Sequence, residues 1–202
     1  EPYFREPLGS LNERWRMTLA HESKLGDFLA DCLRYGGQTE LSYMNTTSAC
    51  GELLPGEITR EELLYCAAFE MFTGIITGAQ LHALLEAVYE PERFGNNAAI
   101  AFSGFHAAVD HTRPGGQKVL SVTRPDGTPI APDERLSVTV SAYMASGGND
   151  TGAIAGQIDW KPTGRHYHEA VSAYAKSLGV LTVADYPRLR ETGEPENNHA
   201  PY

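Results

Sequence analysis

The order in which helical and strand patterns follow one another is the feature of this sequence that most limits its fold. Apolar residues at helical spacing after Ser23 predict a helix with that serine as its N-cap and Gly36-Gly37 at its end. Residues 40–45 are rich in strand-forming side chains and predict a buried strand, and Pro55-Gly56 predicts a turn. The fold is therefore expected to start with a helix followed by a strand.

Two capping boxes predict the next helices. Thr59 and Glu62 have the spacing of the first box, and the short helix that they open is predicted to continue through Cys66. Residues 69–76 then predict a strand. Thr77 and Gln80 form the second box, and the helix after it places four apolar residues on one face, namely Leu81, Leu84, Leu85 and Val88.

The second half of the chain changes to strand patterns. Residues 99–109, 118–124 and 136–144 predict three strands, with Asp126-Gly127 as the turn between the last two. A final helix is predicted after Thr163, with Gly179 at its end. The resulting order, α-β-α-β-α-β-β-β-α, predicts an α+β fold in which helices pack on one mixed β-sheet.

Both ends of the chain differ in composition from the middle. Residues 1–22 and 194–202 are rich in Pro, Glu, Asn and Arg, and they predict an extended N-terminal arm or linker and a tail, both outside the core. Residues 23–193 then form one domain of ordinary size. The sequence begins at Glu1 and has no basic region followed by an apolar one, so we expect a mature product or an excised fragment without a signal peptide.

Charge and hydropathy exclude two classes of interaction. Lys and Arg number 16 against 26 Asp and Glu, which gives a net charge of −10. A surface for a nucleic-acid polymer needs clustered basic side chains, so no such partner is predicted, although one or two local Arg can still bind a small anion. No stretch approaches the roughly 18 apolar residues of a membrane helix, so no membrane span is predicted.

Patterns typical of catalytic or metal sites are sparse. The sequence has no G-x-S-x-G elbow, no P-loop, and no CxxC spacing among its three cysteines. His166 and His168 are two apart on a predicted helix, so they should point to different faces. His106 and Asp110 can share one face of a strand, but no third ligand lies nearby in the sequence. Surface or capping roles explain these histidines better than a metal site, and a buried thiol explains Cys50 better than a nucleophile.

Three loops carry the candidate ligand contacts. They are residues 45–51, residues 102–105, and residues 143–150 with their Gly-Gly pair. Small polar residues leave room for a ligand, glycine permits close approach of the backbone, and an aromatic ring can stack on a planar ring. Each loop taken alone is also compatible with an ordinary turn.

Taken in order, five segments resemble the C-terminal domain of the 5′-nucleotidase / UDP-sugar hydrolase family. Residues 23–31 are similar to its S-x-L-G-N-L-x-A-D, residues 56–59 to its G-x-I-T, and residues 77–86 to its T-G-x-Q-L-x-x-L-L-E. Ser103-Gly104 followed by Asp110 resembles S-G-x-x-x-x-x-D, and Gly147-Gly148-Asn149 stands where the family has G-G-D. The resemblance covers residues 23–193, which is most of the chain.

The resemblance implies a protein of two domains. An N-terminal metallophosphoesterase domain in cis would hold a pair of divalent metal ions and hydrolyse the phosphoester, while the C-terminal domain binds a nucleotide or nucleoside-like substrate. The sequence has no D-x-H or G-N-H-[DE] motif, so this chain is expected to hold no cofactor and to be inactive alone. The family also implies a hydrolase of nucleotide catabolism located outside the cytoplasm, whether periplasmic, in the cell wall or secreted.

The resemblance also implies the site residues, position by position. Two aromatic residues stand where the family clamps the base between rings, and two polar residues after the Gly-Gly pair approach the sugar. The loop that begins at residue 45 lines the phosphate side. The implied substrate-binding residues are Phe69, Tyr143, Asn149, Asp150, Gly104 and Asn45.

Departures from the family pattern leave alternatives open. Cys50 stands at the Arg that meets the phosphate, Met71 at the Asn of P-F-x-N, and Asn149 at the acid of G-G-D. Residues 69–77 form a shorter segment than usual, so Phe69 and Phe72 compete for the stacking role. Either the substrate differs from a simple nucleoside monophosphate, or the domain is a scaffold or protein-interaction module without nucleotide binding. An unrelated α+β protein with similar loops is the third alternative.

Overall fold

A five-stranded mixed sheet with helices on both faces forms the centre of the molecule. The computed structural model describes residues 2–18, 21–48, 51–64, 69–90, 100–149 and 151–193. In spatial order the strands of this sheet are β11 (Lys161–His166), β6 (Glu70–Thr77), β10 (Arg135–Ser141), β3 (Leu41–Asn45) and β7 (Ile100–Ser103). The parallel pair β3 and β10 lies inside the sheet, and the other neighbours are antiparallel.

Smaller sheets and the helices complete the fold. A three-stranded sheet has the order β12 (Leu189–Thr192), β8 (His106–Asp110) and β9 (Val119–Thr123). Two strand pairs join β1 (Pro7–Leu11) to β5 (Gly56–Thr59) and β2 (Trp15–Arg16) to β4 (Glu52–Leu53). The described helices are α1 (Lys24–Gly37), α2 (Arg60–Leu64), α3 (Gly78–Val88), α4 (Ala142–Ala145), α5 (Gly152–Ala155) and α6 (Tyr167–Leu178), with a 3₁₀ turn at Thr46–Ser48.

The α+β class is confirmed, and so are the helix starts that rest on capping chemistry. Ser23 caps α1, since its Oγ accepts from the Gly26 N–H at 3.2 Å. Thr77 and Gln80 form both bonds of a capping box at the start of α3. The final helix ends before Gly179, which has a φ of 71°. The predicted continuation of the second helix through Cys66 lies outside the described residues.

Gly36 and Gly37 have a different role from the predicted one. Both lie inside the last turn of α1, and Gln38, with a φ of 53°, follows as the left-handed cap. A Cβ at Gly36 would overlap the Cβ of Ala170 on α6, and one at Gly37 would overlap the Thr139 side chain on β10. These glycines therefore let α1 pack closely against its neighbours, a reason that lies in tertiary contacts.

The single strand predicted over residues 99–109 is wrong. The chain breaks it at Gly104 into β7 and β8, which belong to different sheets. Gly104 has a φ of 87°, and a Cβ there would overlap the carbonyl oxygen of Glu40. The apolar pattern continues across this bend because both strands are buried, so periodicity alone does not reveal it.

The strand predicted over residues 136–144 is too long. β10 ends at Ser141, because that residue caps α4 and its Oγ accepts from the Met144 N–H at 3.4 Å. Tyr143 therefore lies in a short helix and not at the end of a strand.

Part of the predicted N-terminal arm lies in the core. Leu8, Leu11 and Trp15 are buried, on strands that pair with β5 and β4. The Ser10 N–H also donates to the Gly179 carbonyl at 2.8 Å, which ties β1 to the end of α6. The expectation of an arm outside the core therefore fails for residues 7–17, where a few well-spaced apolar side chains outweigh a polar composition. Residues 194–202 lie outside the described chain.

The sheet separates two apolar clusters. Met44 and Met71 belong to the cluster with α1 and α6, whereas Tyr43 and Val138 belong to the cluster with α3 and the three-stranded sheet. Burial of each such side chain contributes about 1.5–3 kcal/mol to the free energy of unfolding. The two clusters therefore hold in place the strands whose ends carry the loops. Across the described ranges, no helix combines the length and the apolar character needed to cross a membrane.

Candidate ligand-binding edge of the sheet

Three strands of the central sheet bring candidate residues to one edge. The parallel strands β3 and β10 end there, and the antiparallel strand β6 begins there, since Ser141 pairs with Met71. Phe69 directly precedes β6, and Tyr143 follows the end of β10 by two residues, in the first turn of α4. We refer to the ends of β3 and β10 with the start of β6 as the site edge.

Tyr143 is fixed by the loop that follows it. Its ring covers Gly148, where an added Cβ would overlap the ring carbons. Its hydroxyl accepts from the Asn149 backbone N–H at 3.3 Å and donates to Asn149 Oδ1 at 3.4 Å. The residue is nevertheless 41% exposed, so an anchored aromatic surface faces solvent at the site edge.

The Gly-Gly loop needs its residue types for conformational reasons. Gly147 has a φ of 89° and Asn149 a φ of 54°, a region that Asn tolerates better than most side chains. Asn149 is only 9% exposed, and its Nδ2 is buried with no hydrogen-bond partner in the part of the chain that the structure describes. Asp150 lies outside the described residues.

Asn45 organises the loop at the end of β3. It is buried, and its Nδ2 donates to Thr47 Oγ1 at 2.7 Å, within the 3₁₀ turn that follows the strand. The amide therefore holds the first turn of this loop in place. Cys50, at the far end of the same loop, lies outside the described residues.

The two competing phenylalanines occupy different environments. Phe69 precedes β6 at the site edge, and its carbonyl accepts from the Tyr167 N–H at 2.9 Å. Phe72 lies within β6 and packs against the α3 cluster. Met71, which replaces the Asn of the family motif, is fully buried on the α1 side. Of the two aromatic rings, the structure therefore places Phe69 closer to the start of β6 and packs Phe72 onto the core.

A comparison with protein families identifies the chain. The model of the family described as "5′-nucleotidase, C-terminal domain" matches residues 7–155. The chain belongs to this family. The family match begins at β1, in agreement with the buried position of the strand.

Relatives of the domain occur in proteins with different names. The chain is 26% identical to an apyrase of Tabanus yao over an alignment of 168 residues, and the match covers 77% of this chain and 30% of the apyrase. It is 30% identical to the endonuclease YhcR of Bacillus subtilis over 160 residues, 78% of this chain and 13% of the endonuclease. The chain thus spans less than a third of either relative.

Solved structures agree on the fold. The 5′-nucleotidase precursor of Thermus thermophilus superposes with a TM-score of 0.86 at 20% identity, over 96% of this chain and 41% of that one. At this identity the likeness shows the fold of a 5′-nucleotidase C-terminal domain. The chain therefore corresponds to about two-fifths of that protein's length.

Gly104 is not at the site edge of the 5′-nucleotidase C-terminal domain. It lies against the carbonyl of Glu40, just before β3. Asn45 is the last residue of that strand, and at the usual rise per residue of a strand it lies about 16 Å from Glu40. Ser103, the neighbour of Gly104, donates from Oγ to Asp31 Oδ1 at 2.5 Å and accepts from Arg34 Nε at 2.8 Å. The Ser-Gly segment thus belongs to a buried polar network, and the structure does not bring Gly104 together with the other candidates.

Arg188 is the centre of that network and was missed at the sequence level. Its Nη2 donates to Asp31 Oδ2 at 2.8 Å and to Asp185 Oδ1 at 2.6 Å. Its Nη1 donates to the carbonyl of Phe102 at 2.7 Å. Burial alone would lower the pKa of Arg188. The hydrogen bond and the charge of Asp31 outweigh this effect and raise that pKa above its usual range. No sequence pattern marks a lone arginine whose partner Asp31 lies 157 residues away.

Asp27, on α1 beside the same network, is an unusual carboxyl. Burial raises its pKa to about 9, the charge of Arg188 opposes the rise, and a hydrogen bond with Glu22 adds to it. Asp27 Oδ2 has no hydrogen-bond partner within the described ranges. The group is therefore protonated at neutral pH.

The histidines are placed differently from the prediction. The rings of His166 and His168 stack with centroids 5.4 Å apart, so the expectation that they point to different faces is wrong. The reason is that His166 precedes α6 as its N-cap and lies outside the helical turn. The Nε2 atom of His106 lies 3.5 Å from Oδ2 of Asp185. Among the residues described, no group of three or more His, Cys, Asp and Glu could hold a metal ion.

Proposed function

We propose that the site edge binds the nucleoside part of a nucleotide-like substrate and that hydrolysis takes place on a separate metallophosphoesterase domain in cis. The observation that carries the proposal is Tyr143, whose ring is fixed over Gly148 and by Asn149 while much of its surface remains exposed. A ring held in this way loses little side-chain entropy when a base stacks on it.

Phe69 supplies the second ring in this proposal. It directly precedes β6, at the same edge of the sheet from which Tyr143 follows β10, and Phe72 is already packed against the α3 cluster. Stacking between two rings tolerates different bases and contributes on the order of 1–3 kcal/mol per ring. Base identity is therefore not the feature that this site selects.

Asn149 and Asp150 approach the sugar in this arrangement, and the loop of residues 45–50 lines the phosphate side. Asn149 Oδ1 can accept a bond from a sugar hydroxyl, as the acid of the family motif would. Cys50 replaces the phosphate-binding Arg, and loss of a charge-assisted bond removes about 1.5–3 kcal/mol. Adenosine should therefore bind nearly as tightly as AMP.

The remaining parts of the proposal rest on the family. The full-length protein would be a hydrolase of phosphoric esters that acts outside the cytoplasm, with its two divalent metal ions on the N-terminal domain. The names of the relatives, an apyrase, an endonuclease and a 5′-nucleotidase precursor, support phosphoester chemistry and leave the substrate open. The second candidate, a scaffold or protein-interaction module, is favoured by the replacements at Cys50 and Asn149.

Calorimetric titration with adenosine, AMP and UDP-glucose at low salt tests the proposal. Wild type should bind, and Tyr143→Ala should lose about tenfold or more in affinity, as stacking energies imply. Tyr186→Ala is the matched control, because Tyr186 is 42% exposed but lies beside the Arg188 network. No heat with any of the three ligands would favour the scaffold.

A further inference from the structure

A cleft of about 600 Å³ lies where α6 crosses the last turns of α1. Its small residues are Gly36, Ala170 and Ala173, and its aromatic residues are Tyr35 and Tyr174. The two helices touch at Gly36 and Ala170, and the cleft opens beside this contact.

Arg34 places part of this cleft away from the site edge. It lies in the last turns of α1, which lead into the start of β3, and its Nε–H donates to Ser103 Oγ at the end of β7. Asn45 and the site edge are at the other end of β3. The Arg34 end of the cleft is therefore remote from the site edge, whereas Arg165 precedes His166, which pairs with Glu70 at the start of β6. Anion binding that is weakened in Arg165→Gln and kept in Tyr143→Ala would belong to this cleft and not to the site edge.

The acidic residues of the cleft are already engaged. Asp31 accepts from Ser103 on one oxygen and from Arg188 on the other. Glu169 accepts from the backbone N–H of His166 at 3.2 Å. Among the described residues, neither carboxylate forms an ion pair with Arg34 or Arg165, although Glu169 keeps its negative charge because its partner is a neutral N–H.

Two guanidinium groups remain for a ligand. Arg34 uses Nε for Ser103, which leaves its two Nη groups, and Arg165 is an exposed residue that lines the cleft from β11. Within the described ranges neither guanidinium forms an ion pair, although the chain carries a net charge of −10. Burial raises the pKa of Tyr174 to about 12, so this wall of the cleft stays uncharged across the whole working pH range.

We infer that this cleft binds a compact oxyanion, a phosphate or carboxylate group, held by charge-assisted hydrogen bonds from Arg34 and Arg165. Guanidinium groups present paired donors that match the oxygens of either anion. The cleft has room for such an anion beside the small residues, and Tyr35 and Tyr174 form its aromatic walls.

An NMR titration of the whole chain tests this site. Sodium phosphate and sodium succinate are added separately, against sodium chloride at equal ionic strength, while the amide signals of Gly36, Ala170 and Ala173 are followed. Saturable shifts with phosphate, succinate or both, and not with chloride, are expected. Saturation with phosphate alone assigns a phosphate ligand, and saturation with succinate assigns a carboxylate.

Two variants distinguish a specific anion-binding site from general electrostatic attraction. Arg165→Gln should weaken the affinity at least about fivefold, because it removes a charge-assisted bond. Arg135→Gln is the matched control, since Arg135 lines a second cleft of similar volume, about 620 Å³, on β6 and β10. Arg165 is the residue to substitute, because Arg34 also donates a hydrogen bond to Ser103 and its loss would disturb the interior. Equal shifts in chloride, or an unchanged affinity in Arg165→Gln, would overturn the inference.

Discussion

The phenol ring of Tyr143 lies over Gly148, in the space that a side chain at Gly148 would fill. The adjacent residue Asn149 holds the phenol hydroxyl from its backbone and from its side chain. The second glycine of the Gly-Gly pair is therefore a support for the ring, and its role extends beyond the shape of the loop.

Gly148→Ala should displace the Tyr143 ring. The new methyl would overlap the ring carbons, so we expect a loss of adenosine affinity similar to that of Tyr143→Ala and a loss of stability of about 1–3 kcal/mol from overpacking. Calorimetry and urea denaturation measure the two effects. Gly152→Ala is the control, because a Cβ there makes only ordinary contacts with Gly147. Unchanged adenosine binding in Gly148→Ala would contradict the supporting role.

Gly104→Ala should destabilise the fold and leave ligand affinity unchanged. The variant combines a φ of 87° with an overlap against the Glu40 carbonyl, so the free energy of unfolding should fall by at least about 2 kcal/mol. Gly116→Ala separates the two causes, since Gly116 has a φ of 75° in open space. An effect no larger than that of Gly116→Ala would show that the contact with Glu40 contributes nothing.

Arg188→Met should be strongly destabilising. It leaves the buried carboxylate of Asp31 without its ion pair, for which a cost of about 3–5 kcal/mol is typical. Urea denaturation gives the value, with Arg190→Met as an exposed control on β12. Adding Asp31→Asn to Arg188→Met should restore part of the loss, and a purely additive double variant would argue against the pair.

Asp27 should make stability depend on pH. Its pKa is raised from 3.8 to about 9 in the folded protein, so the folded state keeps a proton that the unfolded state releases. The contribution is fully present below about pH 4 and is lost as the pH rises to about 9, with a slope of at most about 1.4 kcal/mol per pH unit. Asp27→Asn should therefore gain stability relative to wild type between pH 5 and pH 9, in urea denaturation at each pH.

The control for this pH series is Asp133→Asn, which changes an exposed carboxyl in the loop before β10. It should follow the wild-type curve at every pH. Parallel curves for wild type and Asp27→Asn would refute a raised pKa at Asp27.

The chain alone should not hydrolyse AMP in the presence of Mg²⁺ or Mn²⁺. In the proposed function, the residues that hold two metal ions would lie on another domain, and Tyr143 and Phe69 would offer only stacking surfaces. Phosphate release after incubation with each metal measures this. Turnover that co-purifies with the chain, and that is lost in Tyr143→Ala but kept in Tyr186→Ala, would contradict the proposed division of labour.

Local chemistry made some elements predictable from the sequence. Ser23 and Thr77 begin helices through bonds to residues three positions later, so their signals lie within one turn. Tyr143 was found as a candidate because an aromatic residue before Gly-Gly is visible in the sequence, although its helix was not. Whether these residues bind a ligand stays a prediction.

Other features depend on contacts between distant residues. Gly36 is needed because of Ala170, and Gly104 because of Glu40, so neither role appears in the local pattern. Gly104 was carried over from a family motif as part of a ligand site, yet its neighbour Ser103 bonds Asp31 and Arg34 in the interior. A motif that identifies a family can thus mark what holds the fold together and not what the fold binds.

The bond between Arg188 and Asp31 also ties the C-terminal part of the chain to the first helix. The family match stops at residue 155, but Asp31 on α1 receives its counter-charge from residue 188, after α6. A fragment cut at residue 155 would leave that carboxylate buried and uncompensated and would also remove the Tyr167 hydroxyl from the Leu29 carbonyl. Through these contacts residues 156–192 belong to the same folded domain as the residues that the family match covers, so a fragment meant to keep this fold should extend through β12.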